Sequence, residues 1–173
     1  MKASQLILLK QKLRYPARVT LAAVLALLAA RILGFPEVYW APVSAMVVMQ
    51  SDFGASLTMS LHRLAGTAIG AFAGALLVAN VGRSVITFGL GVFGIGLLSV
   101  ALRLERPANR FAAIAFSIVF LVVRAEPVWV IALHRFLEVT VGIVAGLLLS
   151  AVWPEPEIAH GRRAHQEHSI KNQ

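Results

Sequence analysis

The segment Leu61-His62-Arg63-Leu64-Ala65-Gly66-Thr67-Ala68-Ile69-Gly70-Ala71-Phe72-Ala73-Gly74-Ala75-Leu76-Leu77 returns 72 residues later as Leu133-His134-Arg135-Phe136-Leu137-Glu138-Val139-Thr140-Val141-Gly142-Ile143-Val144-Ala145-Gly146-Leu147-Leu148-Leu149. Eight of the 17 positions are identical, including the His-Arg pair and two of the glycines. Arg31 falls on Arg103 under the same shift, and 38–51 falls on 110–123. The chain therefore reads as an internal duplication.

What surrounds the repeat says where it resides. Of 173 residues, 58% are hydrophobic and 14% charged, and the mean hydropathy is +0.78. Soluble domains carry about 25% charged residues, so this balance points to the lipid bilayer and away from a water-soluble enzyme. Three stretches are long enough to cross it, about Arg18 to Phe35, Leu64 to Gly82 and Ser84 to Leu102, given that a crossing needs about 20 residues. Two runs are shorter, Val38 to Ser51 and Phe111 to Val123, and a sixth, about Trp129 to Pro154, carries His134, Arg135 and Glu138. The expectation is an all-α integral membrane bundle of six transmembrane helices. Gly34-Phe35-Pro36, Asn80-Val81-Gly82 and Glu126-Pro127 supply turn chemistry between them.

Three helices per repeat is an odd number of crossings, so the second copy must lie inverted in the membrane. Repeat one covers about 14–82, repeat two about 84–154, and residues 155–173 read as a disordered cytoplasmic tail. Inverted repeats mark transporter folds, where unusually short segments at matching positions point to the substrate site.

The net charge of +8 does not imply a nucleic-acid partner, because the basic residues sit between apolar runs. Twelve Lys and Arg fall on the side of the N-terminus and four on the other. That asymmetry predicts an inner-membrane protein with both termini cytoplasmic and a retained first helix. Arg31, Arg83 and Arg124 read as snorkelling cations at the membrane surface, and Trp129 and Trp153 as interfacial anchors. Without cysteine there is no disulfide, thiolate metal site or thiol nucleophile. No phosphate loop, zinc-protease helix or Ser-His-Asp arrangement occurs, so neither catalysis nor a metal or cofactor is expected.

The inversion gives the paired arginines their meaning. With helix three starting near Gly54 and helix six just after Pro127, Arg63 and Arg135 lie roughly 12–14 Å from opposite mouths. Both then approach the middle of a hydrocarbon core about 30 Å thick. An arginine there costs at least about 2.5–3.5 kcal/mol and must face a partner or a wet path. Its planar fork of donors matches a carboxylate. The reading is an arginine-lined path for a small organic anion. The competing reading makes each arginine a packing or interfacial ion pair, and Glu138 at i+3 offers Arg135 such a partner. His62, His134 and Glu138 are candidates for a proton or charge partner.

Gly66, Gly70 and Gly74 recur every four residues, and Gly142 and Gly146 do the same, as expected where helix backbones pack closely in lipid. Gly89, Gly91, Gly94 and Gly96 form a looser set that also predicts tight packing. Trp40 reads as an interfacial aromatic or as a ring that stacks on an aromatic substrate.

Tyr39-Trp40-Ala41 through Gln50, then Gly54 and His62-Arg63-Leu64-Ala65-Gly66-Thr67-Ala68-Ile69-Gly70, resembles the signature of the fusaric acid resistance (FUSC) and aromatic acid exporter family. Arg135-Phe136-Leu137-Glu138-Val139-Thr140-Val141-Gly142 is similar to that family's second motif, and the resemblance covers roughly 14–154. It implies a six-helix domain exporting organic or aromatic acids, with Trp40, Arg63, Thr67 and Arg135 in or beside the conduction path. Larger members add cytoplasmic domains and often a second membrane block. Six short helices with matching glycine faces therefore suggest a homo-oligomer. The alternative is a non-transporting membrane scaffold that docks partner helices.

Overall fold

The computed structural model describes the backbone of residues 3–50 and 52–153 and the side chains from Leu13 onward. The region read as a tail, 155–173, lies outside the described residues. Six helices follow one another: α1 Ala3–Ile32, α2 Trp40–Val48, α3 Phe53–Asn80, α4 Val85–Ala101, α5 Arg106–Leu121 and α6 Val128–Val152. Their ends obey local chemistry. Asp52 accepts the Ala55 N–H at 3.0 Å and starts α3, while Ser84 does the same for Thr87 at the start of α4. Pro127 precedes α6, and Gly34 and Gly82 take the positive φ that their turns require.

Among the described residues, three helical segments are long and apolar enough to cross a membrane: Leu13–Ile32 of α1, α3 and α6. Sequence reading had placed α4, not α6, among the full-length spans. At 17 residues α4 is apolar but shorter, whereas α6 absorbs His134, Arg135 and Glu138 in a 25-residue helix. With nine residues, α2 is only about 14 Å long at 1.5 Å per residue. Large apolar side chains cover the outside of the bundle, from Leu21 and Leu25 on α1 to Leu148 and Val152 on α6. Such a surface is stable in lipid and not in water.

The inside is built from small residues. On α1 the buried stripe is Arg18, Ala22, Ala26 and Ala30, and the alanines meet Ala41 and Ala45 of α2 and Met49 just after it. α3 packs most extensively against α5, and α6 packs about equally against α3 and α2. A Cβ on Gly66 would come within 2.3 Å of the Ala108 carbonyl oxygen, and one on Gly70 within 2.0 Å of that of Ala112. A Cβ on Gly142 would lie 2.1 Å from the Ala41 carbonyl oxygen, and one on Gly146 would press on Val48 and Ala45. These glycines lie where backbones touch, and Gly74 meets α5 more loosely at 3.2 Å.

The tight packing expected of α4 is not found. Gly91, against Phe116 and Leu77, engages neighbours together with the buried Ile95 and Ser99 and with Phe88 and Val92, of which Phe88 lies against Phe116 and Phe120, whereas Gly89, Gly94 and Gly96 have nothing within 4 Å. One stripe at four-residue spacing holds the helix, and the other glycines lie off that stripe.

These contacts separate the glycines by cost. Gly70→Ala and Gly142→Ala should each lose about 1–3 kcal/mol of stability through backbone overlap. Gly89→Ala should instead be neutral or stabilising, since glycine costs about 1 kcal/mol relative to alanine inside a helix. Thermal unfolding of the detergent-solubilised variants checks the contrast.

Candidate anion-binding site

The two arginines of the duplicated segment come together between α3 and α6. Arg63 is 5% exposed and Arg135 3%, and they are near enough that Arg135 experiences the charge of Arg63. Each lies over an aromatic ring from the short helix of the opposite half. The Arg135 guanidinium carbon is 3.5 Å from the centroid of Trp40, and that of Arg63 is 4.9 Å from the centroid of Phe111. A ring face attracts a cation by about 0.5–2 kcal/mol and leaves the in-plane N–H donors unspent.

Those donors are only partly used. Arg63 Nη2 donates to Ser44 Oγ at 3.1 Å, and Ser44 donates in turn to the Trp40 carbonyl at 2.8 Å. Trp40 and Ser44, one turn apart at the start of α2, thus serve both arginines. Among the described residues, Arg63 Nε and Arg135 Nε and Nη1 are buried with no hydrogen-bond partner. Leaving a buried charged donor unpaired costs about 1–3 kcal/mol or more.

Glu138 is 1% exposed, and among the described residues no ion pair joins it to Arg135. Its Oε1 accepts the Glu37 backbone N–H at 3.1 Å, and its charge reaches Arg135 through space. Glu37 accepts from Trp40 Nε1 at 2.6 Å and pairs with Arg124. The loop before α2 is therefore tied to α6, and the ring beneath Arg135 is held from behind.

His62 and His134 face the loops. His62 Nε2 lies 3.5 Å from Glu105, and His134 Nδ1 lies 3.9 Å from Glu126. Thr67 is buried one turn beyond Arg63. Arg83 and Arg124, read from sequence as snorkelling cations, have protein partners: Arg83 donates to the Phe120 and Val122 carbonyls at 2.8 and 3.1 Å and caps α5.

Sequence reading missed Phe111, Ser44 and Glu37. Phe111 had a findable signal, because Trp40 and Phe111 are structural mates at an offset of 71, not 72. The glycine contacts repeat that register, Gly70 on Ala112 and Gly142 on Ala41. The short helices have slipped by one residue relative to the long ones.

A helical membrane fold with two buried arginines at its centre now stands beside the comparisons. The sequence model for fusaric acid resistance protein-like proteins matches residues 24–149, and the chain belongs to that family. It is 34% identical over 151 residues to the "Uncharacterized transporter YdhK" of Escherichia coli strain K12, covering 82% of this chain and 22% of that protein. The Salmonella typhimurium protein of the same name is 32% identical over 152 residues, with the same coverage. The chain thus spans about a fifth of the length of these curated relatives. No solved structure matches it.

The network around Glu37 makes a graded expectation. Glu37→Ala removes the acceptor for both Trp40 and Arg124 and should destabilise the protein more than Arg124→Ala does. The coupling between Glu37 and Arg124 in a double-mutant cycle should stay at about 1 kcal/mol or less, as for a partly exposed ion pair. Unfolding of the two single variants and the double variant measures both quantities.

Proposed function

We propose that this chain is a membrane transport domain that carries small organic anions, aromatic carboxylates foremost, past the Arg63–Arg135 pair. The observation that carries the reading is the set of unpartnered guanidinium donors on two buried arginines held over aromatic rings. A carboxylate there takes charge-assisted hydrogen bonds from both forks and relieves the repulsion between them. Trp40 and Thr67 flank the ligand, and the Trp40 ring suits an aromatic acid. Glu138 and Glu37 temper the positive field, so the anion is held and can still leave. His62 and His134 stand at the two mouths as proton or charge partners.

The packing supports an inverted repeat of six membrane helices. Exchanging α1 with α4, α2 with α5 and α3 with α6 turns the α3–α5 contact into α6–α2 and the α1–α6 contact into α4–α3. Alternation of access then needs only small shifts of one half against the other about a fixed site. In this reading both termini are cytoplasmic and the membrane is the inner one. The open glycines of α4 leave room for a helix of another copy, which supports a homo-oligomer.

Counterflow of aromatic and aliphatic carboxylates in proteoliposomes tests the proposal. Arg63→Ala and Arg135→Ala should each lower flux by about 10-fold to 100-fold or more, from about 1.5–3 kcal/mol per charged hydrogen bond. Arg63→Lys should keep part of the flux with weaker apparent affinity, because lysine retains the charge and loses the fork. Flux equal to wild type in both alanine variants overturns the arginine site. Absence of flux for every acid in the wild type favours a docking subunit instead.

A further inference from the structure

Trp40 stands between a buried arginine and one surface of the bundle. Its ring lies 3.5 Å from the Arg135 guanidinium carbon, and its indole Nε1 donates to Glu37 Oε2 at 2.6 Å. Glu37 Oε1 accepts in turn from Arg124. Exposure rises along this series, from the buried Arg135 to 12% of the side chain at Glu37 and 30% at Arg124, so the series leads from the core to the outside. Glu37 is itself a fixed post. Its backbone N–H donates to Glu138 Oε1 of α6, while its carboxylate joins the start of α2 to the loop after α5. An indole has one N–H, and here that donor is committed to a charged acceptor.

The other half carries the ring without this anchorage. At the offset of 71 that relates Trp40 to Phe111, Pro36 becomes Pro107 and Glu37 becomes Ala108. Phe111 lies under Arg63 at 4.9 Å and has no N–H to give. Ala108 has no acceptor in its side chain, and the stretch after α2, Met49-Gln50-Ser51-Asp52, contains no cation to match Arg124. A ring therefore seats on an arginine without an ion pair behind it, as Phe111 does. The Glu37–Arg124 pair adds control over one ring only.

We infer that Trp40 is a lid over Arg135 and that Glu37, backed by Arg124, is the latch that holds it shut toward the membrane face bearing those two residues. The inference rests on the anion-transport reading above and gives that reading a gate on one side. Rotation of the indole breaks its bond to Glu37, lifts the ring from the guanidinium and opens the space that the ring had filled. Glu37 is a positioning residue, acting on Arg135 through the ring, and weakening its hold shifts the population toward the open lid.

The chain contains no cysteine, so Ser44→Cys in the full chain reports access behind the lid, Ser44 being buried one turn along α2 from Trp40. Oriented vesicles are treated from either face with the membrane-impermeant anion sulfonatoethyl methanethiosulfonate. With the latch intact, labelling should be slow from both faces. Glu37→Gln keeps the shape and loses the charge, and Trp40→Phe keeps a ring and loses the N–H. Each should speed labelling about tenfold or more from the face bearing Glu37 and leave the other face unchanged. Arg124→Gln, at a partly exposed position, should act in the same direction more weakly, and it decides where the other two variants do not fold. Rates equal to the parent in folded variants, or a rise from both faces alike as a loosened bundle would give, overturn the inference. Labelling requires no flux. Latch-dependent labelling without carboxylate counterflow therefore retires the substrate reading and keeps the lid, whereas counterflow with labelling indifferent to the latch does the reverse.

Discussion

Two buried guanidiniums served by one turn of α2 are the constraint that the rest of this structure serves. Arg63 and Arg135 sit buried, where a guanidinium is costly, and the charge of Arg63 adds to that cost at Arg135. The protein offsets that cost without neutralising it. Trp40 and Phe111 offer ring faces, Ser44 takes one donor, and Glu138 and Glu37 act through space. A direct ion pair would have spent these donors. Partial compensation instead leaves Arg63 Nε and Arg135 Nε and Nη1 buried and unpaired among the described residues.

The backbone arrangement follows from bringing those groups together. The aromatic ring under each arginine belongs to the short helix of the opposite half, so each long helix must approach that short helix closely. Glycines at four-residue spacing on α3 and α6 make this approach possible, with carbonyl oxygens of α5 and α2 lying where a Cβ would be. The exception is informative. Where Gly66 meets Ala108, the equivalent position on α6 is Glu138, which meets the Glu37 N–H before α2 has begun. One half keeps a bare backbone contact and the other keeps a carboxylate, so the two ends of the molecule differ in charge as well as in polarity.

Much of this was legible in the order of residues. The repeat located both arginines, the prolines and glycines located the turns, and the expected starts of the third and sixth helices, near Gly54 and after Pro127, lie within one residue of Phe53 and Val128. The looseness of α4 was not legible, because glycines at mixed spacing look alike whether or not a neighbour covers them. Phe111 was hidden by the one-residue slip between short and long helices.

By itself the sequence determined the solvent, the duplication and the identity of the central cations, because hydropathy, repeated spacing and the cost of a charge in lipid are properties of residues in order. Only the tertiary structure decided which ring lies under which arginine and which donors remain unspent. Those depend on how helices distant in sequence meet across their glycine ridges. A slip of one residue along such a ridge exchanges an aromatic face for an alanine.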